Sequence, residues 1–365
     1  QGGGALGAYQ GGVYEVLSAM HGEPDWLAGV SIGAINAALI AGNPPQRRLQ
    51  RLREFWELIS APMPIGMDAL LPGDLRGAFN EASALRGVLF GVPGFFTPRV
   101  PPPGWHPRGT AGAISHYDTA PLRHTLERLV DFDRINRGPV RLAVGAVNVR
   151  TGNFEYFDSA NRPLDARHVM ASGALPPGFP PVEIDGEYYW DGGLLSNTPL
   201  QYVLDHPEAQ RRCIFQVDLF PASGRLPRTM GEVVAREKDI RFSSRTRLNT
   251  SHAVQRQRTA RAAHRLLDKL PAALRDDPDA RELARLHEPP MDMDIVHLIY
   301  HSRRYEGESK DYEFSRRSMQ EHWQAGIADM TRTLADPRWR NRDPQAEGVH
   351  VFDVPPPAPG PTPEP

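Results

Sequence analysis

The sequence predicts an α/β fold with a mainly helical C-terminal extension. Two stretches near the start carry this prediction: a glycine-rich loop that leads into a helix over 8–20, and a short apolar strand over 26–30 that runs into a helix over 32–41. Further strands are expected over 141–149 and 214–219. With 365 residues, 40% of them hydrophobic, the chain can bury a substantial core.

The first segment, QGGGALGAYQGG, fits two kinds of anion site. Gly2, Gly4 and Gly7 satisfy G-x-G-x-x-G, a pattern that can hold the pyrophosphate of a dinucleotide or the oxyanion of an acyl-transfer reaction. Dinucleotide binding also needs an acidic residue at the end of the second strand, about 20 residues past the glycines. Asp25, the nearby candidate, precedes the strand, so the oxyanion interpretation is favoured.

A candidate nucleophile follows the strand over 26–30. Gly29, Ser31 and Gly33 form G-x-S-x-G at a predicted strand-to-helix junction, the context in which this pattern marks a nucleophile elbow. The flanking glycines permit a sharp turn that exposes the serine hydroxyl, and the following helix directs its N-terminal amides to the same point. Ser31 is therefore predicted to attack a carbonyl carbon.

The sequence pattern around the candidate base for this serine is less specific. Asp191, followed by Gly192 and Gly193, comes at the end of a β-prone stretch and can lie on a tight turn close to another backbone. Taken alone, the pattern also fits an ordinary Asp-Gly turn.

Two histidines offer a competing catalytic arrangement. His297 and His301 flank an apolar stretch, and either could complete a Ser-His-Asp triad. Structural roles are favoured for both, because an α/β-hydrolase has several strands before its nucleophile and about one can precede Ser31 in this sequence.

Four motifs in order resemble those of the patatin-like phospholipases. They are G-G-G-x-x-G at 2–7, G-x-S-x-G at 29–33, ASGALPPGFPP at 171–181, and D-G-G at 191–193 with Asn197 and Pro199 after it. The resemblance covers residues 1 to about 220, and Leu6 stands where many members carry Arg or Lys. The later stretches DIRFSSRT and DYEFSRRSMQEHWQAG are similar to the C-terminal extension of a bacterial subgroup.

This resemblance implies a three-layer α/β/α fold with a Ser-Asp dyad, and neither cofactor nor metal. Ser31 would be the nucleophile and Asp191 the base. The other residues implied are Gly2, Gly3, Gly4 and Ala5 for the oxyanion hole, and Gly29, Gly33, Gly192 and Gly193 in support of the motifs. A solvated aspartate, with a pKa near ~3.9, is a weak base for a hydroxyl. Asp191 is therefore expected to be partly desolvated and hydrogen-bonded directly to Ser31.

The function implied is hydrolysis of lipid acyl esters, of phospholipase A or lysophospholipase type, through an acyl-enzyme on Ser31. One alternative is an esterase for other substrates, such as hydroxyalkanoate oligomers. Another is a membrane-surface or scaffold protein whose dyad turns over little. A cytoplasmic location, peripheral to the inner membrane, is expected, and a net charge of -2 argues against a nucleic-acid partner.

The predicted domains are a patatin-like catalytic domain over 1–220, a mainly helical extension over 221–345 and a disordered proline-rich tail over 346–365. The single cysteine, Cys213, lies in an apolar run and is expected in the core.

Two segments are candidates for membrane contact. Residues 61–117 are dense in proline and glycine and are expected to form an irregular insertion, a candidate lid, with Phe95, Phe96 and Trp105 exposed. The stretch over 236–270 is rich in Arg and Lys and could dock on anionic headgroups.

Overall fold

The fold is described for most of the chain. The computed structural model describes residues 1–20, 22–60, 73–206, 211–243, 246–274, 276–286, 291–303 and 305–354. Two compact units emerge: a larger one of Gln1–Pro199, Asp218–Ser244 and Ile299–Thr331, and a smaller one of Leu200–Val217, Arg245–Leu298 and Arg332–Pro365. The chain thus leaves the larger unit and returns to it twice. From the sequence, boundaries are expected near residues 220 and 345 instead.

Helices and strands are interspersed over the first 200 residues, which confirms the predicted α/β class. The helices are α1 Ala8–Ser18, α2 Ile32–Ala41, α3 Pro45–Ile59, α4 Gly73–Phe90, α5 Ala120–Leu129, α6 Phe132–Arg137, α7 Ala166–Ser172, α8 Leu200–Asp205, α9 Met230–Phe242, α10 Thr246–Asp268, α11 Pro278–Leu286, α12 Arg316–Ala335 and α13 Pro337–Arg340. The strands are β1 Trp26–Val30, β2 Thr97–Pro98, β3 Tyr117–Asp118, β4 Arg141–Asn148, β5 Phe154–Asp158, β6 Val182–Ile184, β7 Glu187–Asp191, β8 Arg211–Asp218, β9 Asp292–Ile299 and β10 Val349–Asp353. Short 3₁₀ turns lie at Gly4–Gly7, Pro103–Trp105, Ala111–Ile114, Gly192–Leu194, Ala272–Leu274 and Glu308–Asp311.

Strand β4 organises the main sheet of the larger unit. It pairs with β1 in parallel, and with β5 and β7 in antiparallel orientation. Gly145 is opposite Val30 of β1, the next residue Ala146 is opposite Asp191 of β7, and both are also paired with β5. Because β5 occupies one edge of β4, β1 and β7 must share the other edge. They meet there end to end.

Helix α2 begins immediately after β1 and is buried along its whole length. Its sequence, IGAINAALIA, combines good helix formers with aliphatic side chains, and it packs against β1, β4 and α3. The predicted buried helix over 32–41 is confirmed.

The last glycines of the first segment serve helix packing. A Cβ on Gly12 of α1 would collide with the carbonyl oxygen of Trp323 in α12, and one on Gly326 would collide with that of Tyr9. Gly11 lies under the Trp323 ring, where a Cβ would collide with its edge. The backbones of α1 and α12 therefore approach each other so closely that only glycine fits at Gly12 and Gly326.

The insertion is more ordered than its composition suggested. Residues 73–90 form α4, while 61–72 lie outside the described residues. The prediction that Phe95 and Phe96 are exposed is wrong, because both are buried in an aromatic cluster; Trp105 is exposed, as predicted.

The smaller unit has a sheet of its own in the order β10-β9-β8, with β9 and β10 parallel. Its core includes Leu200 and Leu204 of α8 and Met293 and Ile295 of β9. The tail prediction needs correction at 349–353, where the alternating pattern VHVFD pairs with β9. Cys213 is also exposed instead of buried, because β8 turns alternate side chains toward solvent.

Replacing Gly12 with alanine is expected to lower the free energy of unfolding by about 3 kcal/mol or more, because α1 and α12 must separate to admit the methyl group. Urea denaturation measures this change. Gly231→Ala is the matched control: Gly231 lies in helix α9 with open space around it, so the substitution should stabilise by up to about 1 kcal/mol. Equal stability of the two variants would contradict the packing account.

Candidate active site

Ser31 lies on a sharp turn between β1 and α2. Its φ and ψ are 56° and -127°, a strained conformation for a residue with a side chain. The Ser31 amide donates to both the carbonyl oxygen and Oγ of Ser172, each at 3.0 Å, and Ser172 Oγ donates in turn to the carbonyl of Gly145 at 2.6 Å. Ser172, from the predicted motif over 171–181, therefore ties the turn to β4.

The glycines around Ser31 are required for close packing. A Cβ on Gly29 would collide with the carbonyl of Gly33, and one on Gly33 would lie 2.8 Å from the carbonyl oxygen of Gln1. These contacts agree with the predicted elbow.

Asp191 reaches Ser31 through the strand register. Val30 and Asp191 are opposite the adjacent residues Gly145 and Ala146 on the same edge of β4, so Ser31, which follows Val30, is placed beside Asp191. A hydrogen bond joins the two side chains. The Asp191 amide donates to the carbonyl of Ala174 at 3.0 Å, which fixes the end of β7.

The carboxyl group of Asp191 is only 2% exposed. Burial raises its pKa from 3.8 to about 7, and hydrogen bonds from the Gly193 amide, at 2.7 Å, and from Ser31 limit the rise. We expected Asp191 to be desolvated and hydrogen-bonded to Ser31, and the structure shows both features.

The glycine loop presents free amides beside Ser31. Among the described hydrogen bonds of this loop, none uses the N–H groups of Gly3, Gly4 or Ala5 as a donor. The Gly2 amide is engaged, because it donates to Asn197 Oδ1 at 3.1 Å and to the Asn197 carbonyl at 3.3 Å. Of the four residues predicted for the oxyanion hole, Gly2 therefore has an amide that is already hydrogen-bonded, in contrast to Gly3, Gly4 and Ala5 among the described contacts.

Asn197 holds the glycine loop at the distance that the site needs. Its Nδ2 donates to the carbonyls of Gly2, at 3.0 Å, and Phe242, at 3.1 Å, while its Oδ1 accepts from Gly2. A Cβ on Gly2 would lie 2.5 Å from Asn197 Oδ1 and 2.8 Å from the Ser31 Cβ. Only glycine therefore fits between the asparagine and the serine.

An apolar cavity of about 350 Å³ opens at Ser31 and Asp191. Its wall is an aromatic cluster in which rings lie between 4.7 and 6.1 Å apart; the members are Phe95, Phe96, Tyr117, Phe179 and Phe314. None of the described residues that line the cavity is Lys or Arg. The cavity is suited to an apolar chain.

Part of this wall was not foreseen from the sequence. Phe242, Asp311, Tyr312 and Phe314 line the cavity although they lie in the region predicted as an extension. The aromatic residues among them were only a weak signal of a place in the cavity. Contacts between segments that are distant in the sequence leave no local pattern from which they could be predicted.

Neither histidine of the alternative triad lines the cavity. His297 lies in β9, with its Nε2 3.1 Å from Thr250 Oγ1, and His301 is exposed. Within the described part of the chain, no three His, Cys, Asp or Glu residues are grouped to hold a metal ion.

A strained serine, a buried aspartate and free backbone amides at the end of an apolar cavity are the parts of a nucleophilic hydrolase site. The sequence comparisons agree with that class. The chain belongs to the patatin-like phospholipase family, whose family model matches residues 1–204, and a second model, described as patatin phospholipase, matches residues 240–346.

Comparison with curated proteins gives no significant match. Among solved structures, the chain is similar to the crystal structure of VipD from Legionella pneumophila, with 16% sequence identity and a TM-score of 0.38. The match covers 92% of this chain and 65% of VipD, so the chain spans about 65% of that protein.

Asp191→Asn is expected to stabilise the fold at alkaline pH. The folded protein binds the Asp191 proton more tightly than the unfolded chain does, so wild-type stability falls as pH rises from about 4 to about 7. Asparagine does not ionise, so the variant does not lose this stability. Above pH 7 its free energy of unfolding should exceed that of wild type by at most about 4 kcal/mol, since each pKa unit is worth about 1.4 kcal/mol. Urea denaturation between pH 4 and 9 measures it.

Asp165→Asn is the control for this experiment. Burial opposes the shift, but hydrogen bonds from Arg167 and the charge of His168 hold the pKa of Asp165 below its usual value. Its contribution is present at neutral pH and lost as pH falls, so this variant should be destabilised at neutral pH. An Asp191→Asn variant that is less stable than wild type at pH 8 would contradict the expected destabilisation by the buried, ionised Asp191 carboxylate.

Proposed function

We propose that the protein hydrolyses lipid acyl esters, with Ser31 as nucleophile and Asp191 as base. The observation that carries the proposal is the direct hydrogen bond between the Ser31 side chain and the buried Asp191, beside the free amides of Gly3, Gly4 and Ala5. The membership of the patatin-like phospholipase family supports it independently.

The geometry supports a two-step reaction. Ser31 Oγ attacks the carbonyl carbon of the ester while its proton passes to the Asp191 carboxylate. The carbonyl oxygen becomes an oxyanion, which the amides of the glycine loop and the N-terminus of α2 stabilise. The bond to the alcohol oxygen then breaks, and Asp191 returns the proton to that oxygen.

Water completes the cycle. Asp191 accepts a proton from the water that attacks the acyl carbon, the bond from this carbon to Ser31 Oγ breaks, and the proton returns to Oγ as the fatty acid leaves. A pKa of about 7 suits both tasks, because the same carboxyl must accept and donate at neutral pH.

The cavity favours esters with an uncharged alcohol as a second substrate class. Its lining holds the carboxylate-bearing residues Asp191 and Asp311 but no Lys or Arg, and Leu6 is fully buried. No described lining side chain is therefore suited to pair with a phosphate. Acylglycerols belong to this class, and hydroxyalkanoate oligomers resemble it in that they carry no phosphate and their internal ester bonds are flanked by uncharged units.

Ser31→Ala and Asp191→Asn are each expected to lower kcat at least about 10³-fold, because each removes a group that reacts in the transition state. The assay measures release from a short-chain p-nitrophenyl ester and from phosphatidylcholine vesicles. Ser18→Ala is the control and should keep the wild-type rate, since Ser18 Oγ only donates to the carbonyl of Glu15 at the end of α1.

The outcomes separate the alternatives. Turnover that persists in Ser31→Ala would overturn the nucleophile assignment. Folded wild type without turnover on either ester would favour the scaffold alternative. Comparison of lysophosphatidylcholine with a monoacylglycerol of the same acyl chain decides between charged and uncharged alcohols.

We further propose that the C-terminal end of α4 contacts the lipid surface. Leu85, Leu89 and Phe90 are exposed there, next to Val88, which is exposed and lines the cavity. Leu175, on another part of the lining, is also exposed. Val88 thus connects the exposed apolar side chains of α4 with the cavity, and a lipid chain would enter from the bilayer on this side.

The basic stretch over 236–270 is less suited to this role. It divides between α9 and α10, and several of its cations are held by carboxylates: Lys238 by Asp311, Arg256 by Asp205 and Arg261 by Asp292. None of the described helices is long and apolar enough to cross a membrane.

The double variant Leu89→Gln with Phe90→Gln is expected to partition onto phosphatidylcholine vesicles about tenfold more weakly, because two apolar groups no longer enter the bilayer. Vesicle co-sedimentation measures the bound fraction. Leu266→Gln is the matched control, since Leu266 is 58% exposed and Leu89 is 57% exposed. Equal binding of the double variant and this control would contradict the proposed surface.

A further inference from the structure

Two reciprocal ion pairs join α9 to the turn at Glu308–Asp311. Lys238 Nζ donates to Asp311 Oδ1 at 2.7 Å, and Lys310 Nζ donates to Asp239 Oδ1 at 2.5 Å. Each element thus carries a lysine and an aspartate at adjacent positions, paired crosswise. We call these four residues the double ion pair.

Further contacts fix the two ammonium groups. Lys238 also donates to the carbonyl of Glu308 at 2.8 Å, and Lys310, which is buried, donates to Ser302 Oγ at 2.7 Å. A buried lysine is costly unless it is paired, and the loss of one partner leaves an uncompensated charge.

The turn that the double ion pair holds lies against the glycine loop. Gly4 has φ +53°, and a Cβ at Gly4 would collide with the carbonyl oxygen of Asp311. The residues that follow, Tyr312 and Phe314, line the acyl cavity, and the Phe314 ring lies 5.8 Å from that of Phe95. One short segment therefore lies against Gly4 of the glycine loop and forms part of the cavity wall.

Apolar burial contributes little to the attachment of α9, in which the half-buried Phe242 packs against Phe220 with 5.4 Å between the ring centroids. None of the residues of α9 is buried, and its exposed side chains include Met230, Val233 and Ile240. Polar contacts must therefore supply much of the attachment between α9 and the turn.

We propose that the double ion pair positions the glycine loop and the aromatic wall of the cavity for the reaction at Ser31. Of these four residues, Asp311 alone lines the cavity, and no contact of any of them with the Ser31 or Asp191 side chains is described. They therefore act as positioning residues. This inference rests on the proposed hydrolase function. It assigns to the region after residue 220 a part in transition-state stabilisation, because a small displacement of Gly3, Gly4 and Ala5 removes donors from the oxyanion.

A charge exchange tests the proposal. Lys238→Asp and Asp311→Lys each place like charges together, and each should lower kcat for a p-nitrophenyl ester about tenfold or more, with a smaller change in KM. The double variant Lys238→Asp with Asp311→Lys restores opposite charges and should recover most of the loss. Recovery would show that the pairing of the two charges, and not either side chain by itself, sets the rate.

Arg261→Met is the matched control. The side chains of Arg261 and Asp292 are 14% and 22% exposed, close to the 17% and 20% of Lys238 and Asp311, but this pair belongs to the smaller unit and does not line the cavity. Its kcat should equal that of wild type. Thermal unfolding of every variant confirms that the assay temperature lies below the transition.

Amide hydrogen exchange supplies a readout that does not depend on turnover. The peptide covering residues 1–12 should exchange faster in each single variant than in wild type and return toward wild type in the double variant. Inactive wild type would defeat the proposed function, while the exchange data would still decide the positioning role. Single variants with wild-type kcat and wild-type exchange, or a double variant with no recovery, would overturn this inference.

Discussion

The register of β4 is the constraint on which the site depends. Gly145 and Ala146 are adjacent in one strand, about 3.3 Å apart along it, and they direct the ends of β1 and β7 to the same place. A slip of one residue in the pairing of β7 would turn Asp191 to the other face of the sheet. The contact between two residues that are 160 positions apart therefore follows from ordinary strand pairing.

The surroundings of this contact are built from groups that are small or polar. Glycines allow backbone to approach backbone, Ser172 and Asn197 supply the hydrogen bonds that hold those backbones, and Asp191 is left with few partners in a dry environment. Each feature lowers stability taken alone: a strained serine, a buried carboxyl and unpaired amides. Under the proposed function, the same features prepare a nucleophile, a base and an oxyanion site.

Local patterns were sufficient to predict the elbow and the loop, because the turn at Ser31 requires its glycines within two residues on either side. Asp191 needed the order of four motifs, since its own pattern fits an ordinary turn. The burial of Phe95 and Phe96 could not be predicted, because abundant proline and glycine indicate irregular backbone and say nothing of what packs on it. The engagement of the Gly2 amide and the return of the chain to the larger unit also depend on distant residues. The catalytic roles of Ser31 and Asp191 stay predictions.

The order of the chain has a consequence for synthesis. A nascent polypeptide that has left the ribosome as far as residue 204 already contains Ser31, Asp191 and the glycine loop. It still lacks Phe242, Tyr312 and Phe314, which close the cavity. Since chains emerge from the N-terminus onward, the cavity at Ser31 is among the last parts of the larger unit to be completed. A fragment that ends at residue 204 would therefore contain Ser31 and Asp191 without the full wall of the cavity beside them.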